Sequence, residues 1–404
     1  MVFVDLMIAI LCGVAAGIIT GLTPGIHVNL VSALLVGFSG YLLGITSGLT
    51  LAVFIVAMGI THTFLDSIPS IFLGAPDSDM VLAVLPGHRL LLEGKGYEAV
   101  KLTVIGSLIS LLATIWMIPF MLPVVPKLYL FIQPFVGYLL VFVVVFMIWK
   151  EKKMNKVFWA VFVFFVSGIL GILVLGMPNL EQPLFPLLSG LFGVSALITS
   201  LIQDTKIPKQ SITETIKVKF GAKVKAIIAA VFSGSLTGLL PGVGAAQAAV
   251  IATELVGEIG VYAFMIMIGG INTVNFTFSL VTFFTLSKAR NGAVVAIMEI
   301  VKGISFEQLI VLIFAALIAG GIAAYLALFF AKVFSKFIVK VNYKLVSICV
   351  IGFIFMISVY FSGLLGVLIL VTSTAVGIIP ALTGVKRSNA MGCLLLPVII
   401  YFLF

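Results

Sequence analysis

Two stretches of this chain carry residue types and spacings able to hold a small anion. GIITGLTPGIHVN spans residues 17–29 and GSLTGLLPGVGAAQ spans 234–247. Aligned without gaps, Gly17, Thr20, Gly21, Leu22, Pro24 and Gly25 fall on Gly234, Thr237, Gly238, Leu239, Pro241 and Gly242. In each copy Pro-Gly interrupts an apolar run that then resumes, as a helix does when it stops and restarts. A restarted half-helix presents unpaired N–H groups and the positive end of its dipole, which attract carboxylate or phosphate without any lysine. The candidate binding residues are therefore Thr20, Thr23, Pro24, Gly25, His27 and Asn29 in the first copy, and Thr237, Pro241, Gly242, Gly244 and Gln247 in the second. Packing competes for the same glycines, because small residues let membrane helices approach closely.

Each signature is followed by a second polar run. GGINTVNFTFSLVTFF, residues 269–284, adds Asn272 and Asn275 to the candidate binding set. Its first-half counterpart carries Thr61, His62, Thr63, Asp66, Ser67 and Ser70; aligning Gly59-Ile60 with Gly270-Ile271 puts Thr61 opposite Asn272. Polar and ionisable groups at membrane depth are expensive and face a bundle interior or a water-filled path. His62 stands one turn before Asp66, and these two with Glu254 are the candidates for coupling transport to a proton or sodium ion. Histidine titrates near physiological pH, whereas sodium needs carbonyls freed by broken helices together with Thr, Asn or Asp oxygens. No other cofactor is expected, and His27, His62 and His88, the only histidines, lack metal-site spacing. Asp79 is read as a loop residue and Arg290 as an external one.

The elements that must position these residues are membrane helices. The chain has 404 residues, 62% of them hydrophobic and 9% charged, with a mean hydropathy of +1.33. This composition specifies an all-α polytopic membrane protein of the cell membrane, in contact with lipid and free to form a homo-oligomer. The first residues, MVFVDLMIAILCGVAAG, lack the positive region of a signal peptide and read as part of a retained span. Cys12, Cys349 and Cys393 sit in apolar runs as structural thiols. The formal charge of +9 comes from lysines clustered in short loops, which the positive-inside rule explains better than nucleic-acid binding.

Those loops, at 150–156, 206–225, 332–344 and 386–387, are placed in the cytoplasm. The first signature follows a segment with Asp5 and no basic residue before Arg89, and the second follows the lysine-rich loop. The two copies thus enter from opposite sides, giving two inverted structural repeats with Pro-Gly-broken, re-entrant helices. The organisation read from this is a first repeat over 1–203, a basic linker with a short amphipathic helix over 204–225, and a second repeat over 226–404. The strongly apolar runs at 100–122, 128–149, 157–177, 184–203, 308–331, 345–361, 364–385 and 388–404 read as scaffold or oligomer-contact helices.

GLTPGIHVN, LLPGVGAAQAA and SIPSIFLGAPDSDMVLAVLPGHRLLLEGKGYEAVK together resemble the large membrane subunit, TctA, of the tripartite tricarboxylate transporters. The resemblance covers most of the chain. It departs at His27, where the family usually keeps a small residue, and at Ala75-Pro76-Asp77-Ser78, which replaces a Pro-Gly-Thr-Pro-like loop; the chain is also shorter than the usual member. The resemblance implies a secondary transporter of di- or tricarboxylates working with a small membrane subunit and an external binding protein. A polyprenyl-phosphate carrier is the alternative, since a half-helix N-terminus holds phosphate as readily. An enzyme is not expected, because no HExxH, GxSxG or Walker-type GxxxxGK[ST] occurs.

Overall fold

The computed structural model describes residues 2–404 except 25, 76–78, 152, 179, 181, 203–206, 241, 242 and 340–342, and every regular element in it is helical. The first half runs α1 (Val2–Leu22), α2 (Val28–Gly37), α3 (Ser39–Leu42), α4 (Gly48–Leu65), α5 (Ser67–Phe72), α6 (Val84–Leu92) and α7 (Gly96–Met121). Next come α8 (Val125–Ile132), α9 (Val136–Trp149), α10 (Met154–Leu175), α11 (Leu184–Leu188) and α12 (Ser195–Ile202), the last two joined by a π-helical turn. The second half runs α13 (Phe220–Leu239), α14 (Ala245–Val256), α15 (Gly260–Leu286), α16 (Gly292–Val301) and α17 (Phe306–Ile338), followed by α18 (Tyr343–Thr383) and α19 (Gly392–Leu403). Among the described residues ten helical segments are long and apolar enough to cross a membrane, so the chain is a polytopic membrane protein. The break after α1 and the break after α13 both fall at the Pro-Gly signatures.

Packing is reciprocal between the halves. Helix α1 lies along α4 as α13 lies along α15; α7 then crosses to α15, while α17 crosses to α4. Glycines set these approaches. A Cβ on Gly17 would stand 2.5 Å from Thr61 Cβ, and one on Gly234 would stand 2.7 Å from Val274 Cβ. These contacts correct the alignment drawn on Gly59 and Gly270. Thr61 occupies the place of Val274, two residues away from its sequence-aligned partner, because the α1–α4 and α13–α15 contacts fix the register and the flanking glycines do not. Both central helices, α4 and α15, are walled in on all sides: their most apolar stretches are 78% and 94% buried, against 28–44% for α1, α7, α10, α17 and α18.

Helices α7 and α17 do not behave as scaffold. Gly106 of α7 meets the Ile266 carbonyl of α15, and the Ser107 hydroxyl donates to the Gly269 carbonyl at 2.9 Å. The lateral position belongs to α8–α12, α18 and α19, which pack chiefly on one another. Helix α18 is two helices in one: Gly363 takes φ +58°, and Gly366 then lies against the Ser358 carbonyl, so the chain turns back as the paired apolar runs at 345–361 and 364–385 require.

Of the basic linker, residues 207–219 are not helical, whereas 220–225 open α13. Residues 207–219 run without regular structure past the start of α7, tied there by the Gln210 side chain. Its Oε1 accepts from the Gly96 N–H at 2.8 Å and its Nε2 donates to the Leu91 carbonyl at 2.9 Å. Gln210→Ala leaves both backbone groups buried without that partner, a loss of about 1–3 kcal/mol. Trypsin cleavage at Lys209, Lys217 or Lys219 should accelerate at least fivefold in this variant, measured in detergent by time-resolved gel; an unchanged rate would show that the segment is held elsewhere.

Candidate functional site

Three helix starts converge on one cavity of about 390 Å³. Helix α2 contributes Asn29, α14 contributes Gly244, Ala246 and Gln247, and α16 contributes Asn291 and Gly292. Each start leaves up to four N–H groups without an intrahelical acceptor. The caps account for few of them: His27 Nδ1 accepts from the Asn29 N–H at 3.1 Å, and Asn291 Oδ1 accepts from the Ala293 N–H at 3.0 Å. Gln247 Oε1 instead accepts from the Gly244 N–H at 3.0 Å, fixing the turn into α14. Gly292 is glycine because Asn29 packs on it; a Cβ there would lie 2.7 Å from Asn29 Cγ.

Arg290 completes this polar wall. Its backbone N–H and that of Asn291 both donate to Ser279 Oγ at 3.1 Å, which holds the segment against α15. The guanidinium reaches Tyr129 only at 3.5 Å, and its buried Nε has no hydrogen-bond partner among the described residues. A cation with spare donors among three positive helix ends is suited to a carboxylate or phosphate. The facing wall is aliphatic: Leu175, Leu184, Leu188, Leu394 and Val398 come from α10, α11 and α19 of the lateral group.

Asn29, Gly244, Gln247 and Asn275, expected in the binding set from sequence, are thus gathered at one cavity, while Asn272 lies nearly one turn before Asn275 on α15. Thr23 and Pro24 lie at the end of α1 and are not cavity residues; Gly25, Pro241 and Gly242 fall outside the described residues. Among the polar cavity residues, Asp79, Arg290 and Asn291 were not in the binding set read from sequence. Ser279 holds the Arg290 backbone at the site, and Asp79, in a turn as the loop reading expects, lines the same cavity. The signal that could have found Arg290 is the Arg-Asn-Gly run, a cation beside a helix N-cap.

The signature threonines do equivalent work. Thr20 Oγ1 lies 3.2 Å from His62 Nδ1, and Thr237 Oγ1 lies 2.7 Å from Asn275 Oδ1. His62 and Asn275 are therefore counterparts, and so by the same register are Asp66 and Ser279. His62, 2% exposed, has Nε2 at 4.0 Å from Asp66 Oδ2, and that oxygen accepts from Asn272 Nδ2 at 2.6 Å. The His27 ring stands 4.9 Å from the His62 ring, with its Nε2 at 3.7 Å from Asp79 Oδ2. Glu254 is separate: it ends α14 and pairs with Lys150 at 2.9 Å. Thr237→Val should weaken folding by about 1 kcal/mol by leaving the Asn275 amide short of a partner. The melting temperature checks this, and an unchanged value would mean that Asn275 is held by other groups.

The family model for the tripartite tricarboxylate transporter TctA family matches residues 7–392, nearly the whole chain. An uncharacterized protein of Methanocaldococcus jannaschii is 31% identical over 407 residues, covering 98% of this chain and 99% of the relative. No solved structure matches.

Proposed function

Because the chain belongs to the tripartite tricarboxylate transporter TctA family and is a membrane transporter component rather than an enzyme, we propose that its cavity binds the carboxylates of a small organic anion. The observation that carries this reading is Arg290 standing with the starts of α2, α14 and α16 around one space. A volume of about 390 Å³ lies at the small end of the range of ligand pockets, roughly 300–1,000 Å³, which suits a di- or tricarboxylate. The polar wall belongs to the reciprocal two-half core and the aliphatic wall to the lateral group. Movement of one group against the other would expose the cavity to alternate sides, and inverted repeats would make the two end states near mirror images. Delivery by an external binding protein, with a small membrane subunit alongside, is the arrangement that family membership supports.

The aliphatic wall favours one second reading, an amphiphilic phosphate such as polyprenyl phosphate whose chain would lie along α10, α11 and α19. Thermal melting of the purified protein separates the two. Citrate, succinate, inorganic phosphate and polyprenyl phosphate are compared at matched ionic strength. A ligand present at 100 times its Kd stabilises the folded state by about 2.7 kcal/mol. The expected result is stabilisation by a di- or tricarboxylate that is lost in Asn29→Ala and Gln247→Ala. Stabilisation by polyprenyl phosphate alone would replace the substrate class, and carboxylate stabilisation surviving both substitutions would remove the site.

A further inference from the structure

An acid–histidine chain, half-buried at Asp79 and His27 and buried at His62 and Asp66, leads away from the anion cavity, and we propose that these four residues together bind one proton for each carboxylate anion carried. This rests on the anion-site reading above. The chain begins at the cavity wall with Asp79, steps 3.7 Å to His27 and crosses a 4.9 Å ring contact to His62. It ends at Asp66, 4.0 Å from His62 and 1% exposed.

The two histidines have different tasks. His27 Nδ1 accepts the Asn29 N–H, so the neutral ring carries its proton on Nε2, toward Asp79. A second proton on Nδ1 would break the cap of α2, whose Asn29 lines the anion cavity. His62 loses nothing on protonation, since both nitrogens could then donate, Nδ1 to Thr20 and Nε2 toward Asp66. The stored proton therefore belongs to the His62–Asp66 pair, and His27 is the passage to it. A hydronium ion at the cavity gives up its proton, leaving water, and an N–H bond forms on imidazole or an O–H bond on the carboxyl; release at the other side reverses the step.

Charge makes the two events interdependent. An anion entering beside Asp79 meets a like charge, and a proton taken onto the chain offsets it. Two imidazolium rings 4.9 Å apart repel each other, which limits the uptake to one. Around the pair, α1 presents Thr20, α15 presents Asn272, and the approach to α2 presents His27 with Asp79 beyond; the one charge of α1, Asp5, lies at its far end. Arg290 shares the cavity with Asp79. The charged residues of the other packed helices sit near their ends, Glu98 and Lys101 on α7, Glu299 on α16, and Glu307, Lys332 and Lys336 on α17. Of these, Glu98 is engaged by Thr213 and Tyr262, and Glu307 by Ser305.

Two measurements test the proposal on the full chain. In lipid nanodiscs, the ¹⁵N resonances of His27 and His62 should move together as the pH is changed, and His62→Gln should displace the His27 midpoint. Resonances that do not move, or a His27 midpoint indifferent to His62→Gln, would overturn the proton site whatever citrate does. In proteoliposomes at zero membrane potential, radiolabelled citrate should accumulate about tenfold more per unit of pH gradient, as one proton per anion requires. His62→Gln and Asp66→Asn should abolish that dependence while citrate still raises the melting temperature. Citrate binding and exchange that ignore the gradient in the wild type would sink the coupling and leave the anion site standing; absence of any carboxylate binding would sink the anion site, and the resonances would then decide the proton site alone.

Discussion

Arg290→Gln should lower the affinity for the carboxylate that stabilises the wild type by roughly 30- to 3,000-fold, about 2–5 kcal/mol. The loss is large because the side chain is the cation at the cavity and its Nε has no competing acceptor among the described residues. Ligand-free stability should change little, since the segment is held through its backbone to Ser279 and the guanidinium makes only a 3.5 Å contact with Tyr129. Arg290→Lys keeps the charge and loses the planar fork, so it should recover only part of the affinity. Isothermal titration of the three proteins decides the matter, and equal affinity in wild type and Arg290→Gln would take the arginine out of the site.

Gly106→Leu should be the most damaging single change to the fold. A side chain at this position runs into the Ile266 carbonyl, and the neighbouring Ser107–Gly269 bond of 2.9 Å holds the same seam closed. Backbone atoms cannot swing aside as a side-chain tip does, so α7 and α15 have to separate at a cost of about 3 kcal/mol. Gly321→Leu is the control. It also replaces a glycine inside a long helix, but a Cβ there meets nothing within 4 Å, and it should be neutral or mildly stabilising. Recovery of monodisperse protein after mild heating compares the two; equal recovery would mean that the seam is not limiting.

The membrane class and the helix breaks were legible because each is a local signal, a run of apolar residues or Pro-Gly at a fixed spacing, and of the candidate binding residues Asn29, Gly244, Gln247 and Asn275 line the cavity. Asn29 and Gln247 were found this way, although 217 residues separate the two signatures. What sequence could not supply was tertiary register. The glycines at 59 and 270 look alike in a string, yet the pairing of Thr20 with His62 and Thr237 with Asn275 shifts the correspondence by two residues. The cavity role of Arg290 escaped for a related reason. A cation after an apolar run marks a membrane border by rule, and it takes the Ser279 hydroxyl, eleven residues earlier, to hold its segment at the cavity. Apolarity alone could not tell the packed α7 and α17 from the lateral helices, because every wall of a membrane protein is apolar.

The complete enclosure of α4 has a consequence for how the chain is made. This helix carries His62 and is capped by Asp66, and the helix that closes over it, α17, ends at Ile338. At about 5–20 residues per second, synthesis from the end of α5 to the end of α17 takes roughly 10–50 s. During that interval a helix carrying Thr61, His62 and Thr63 has to reside in the bilayer with only part of its wall. Helix α1 is the partner already available, and its Gly13, Gly17 and Gly21 bring it against Ala57, Thr61 and Leu65 of α4. The first glycine stripe thus serves the nascent chain as an early companion for α4, and lengthening those side chains should send more product to membrane proteases before the second half has been translated.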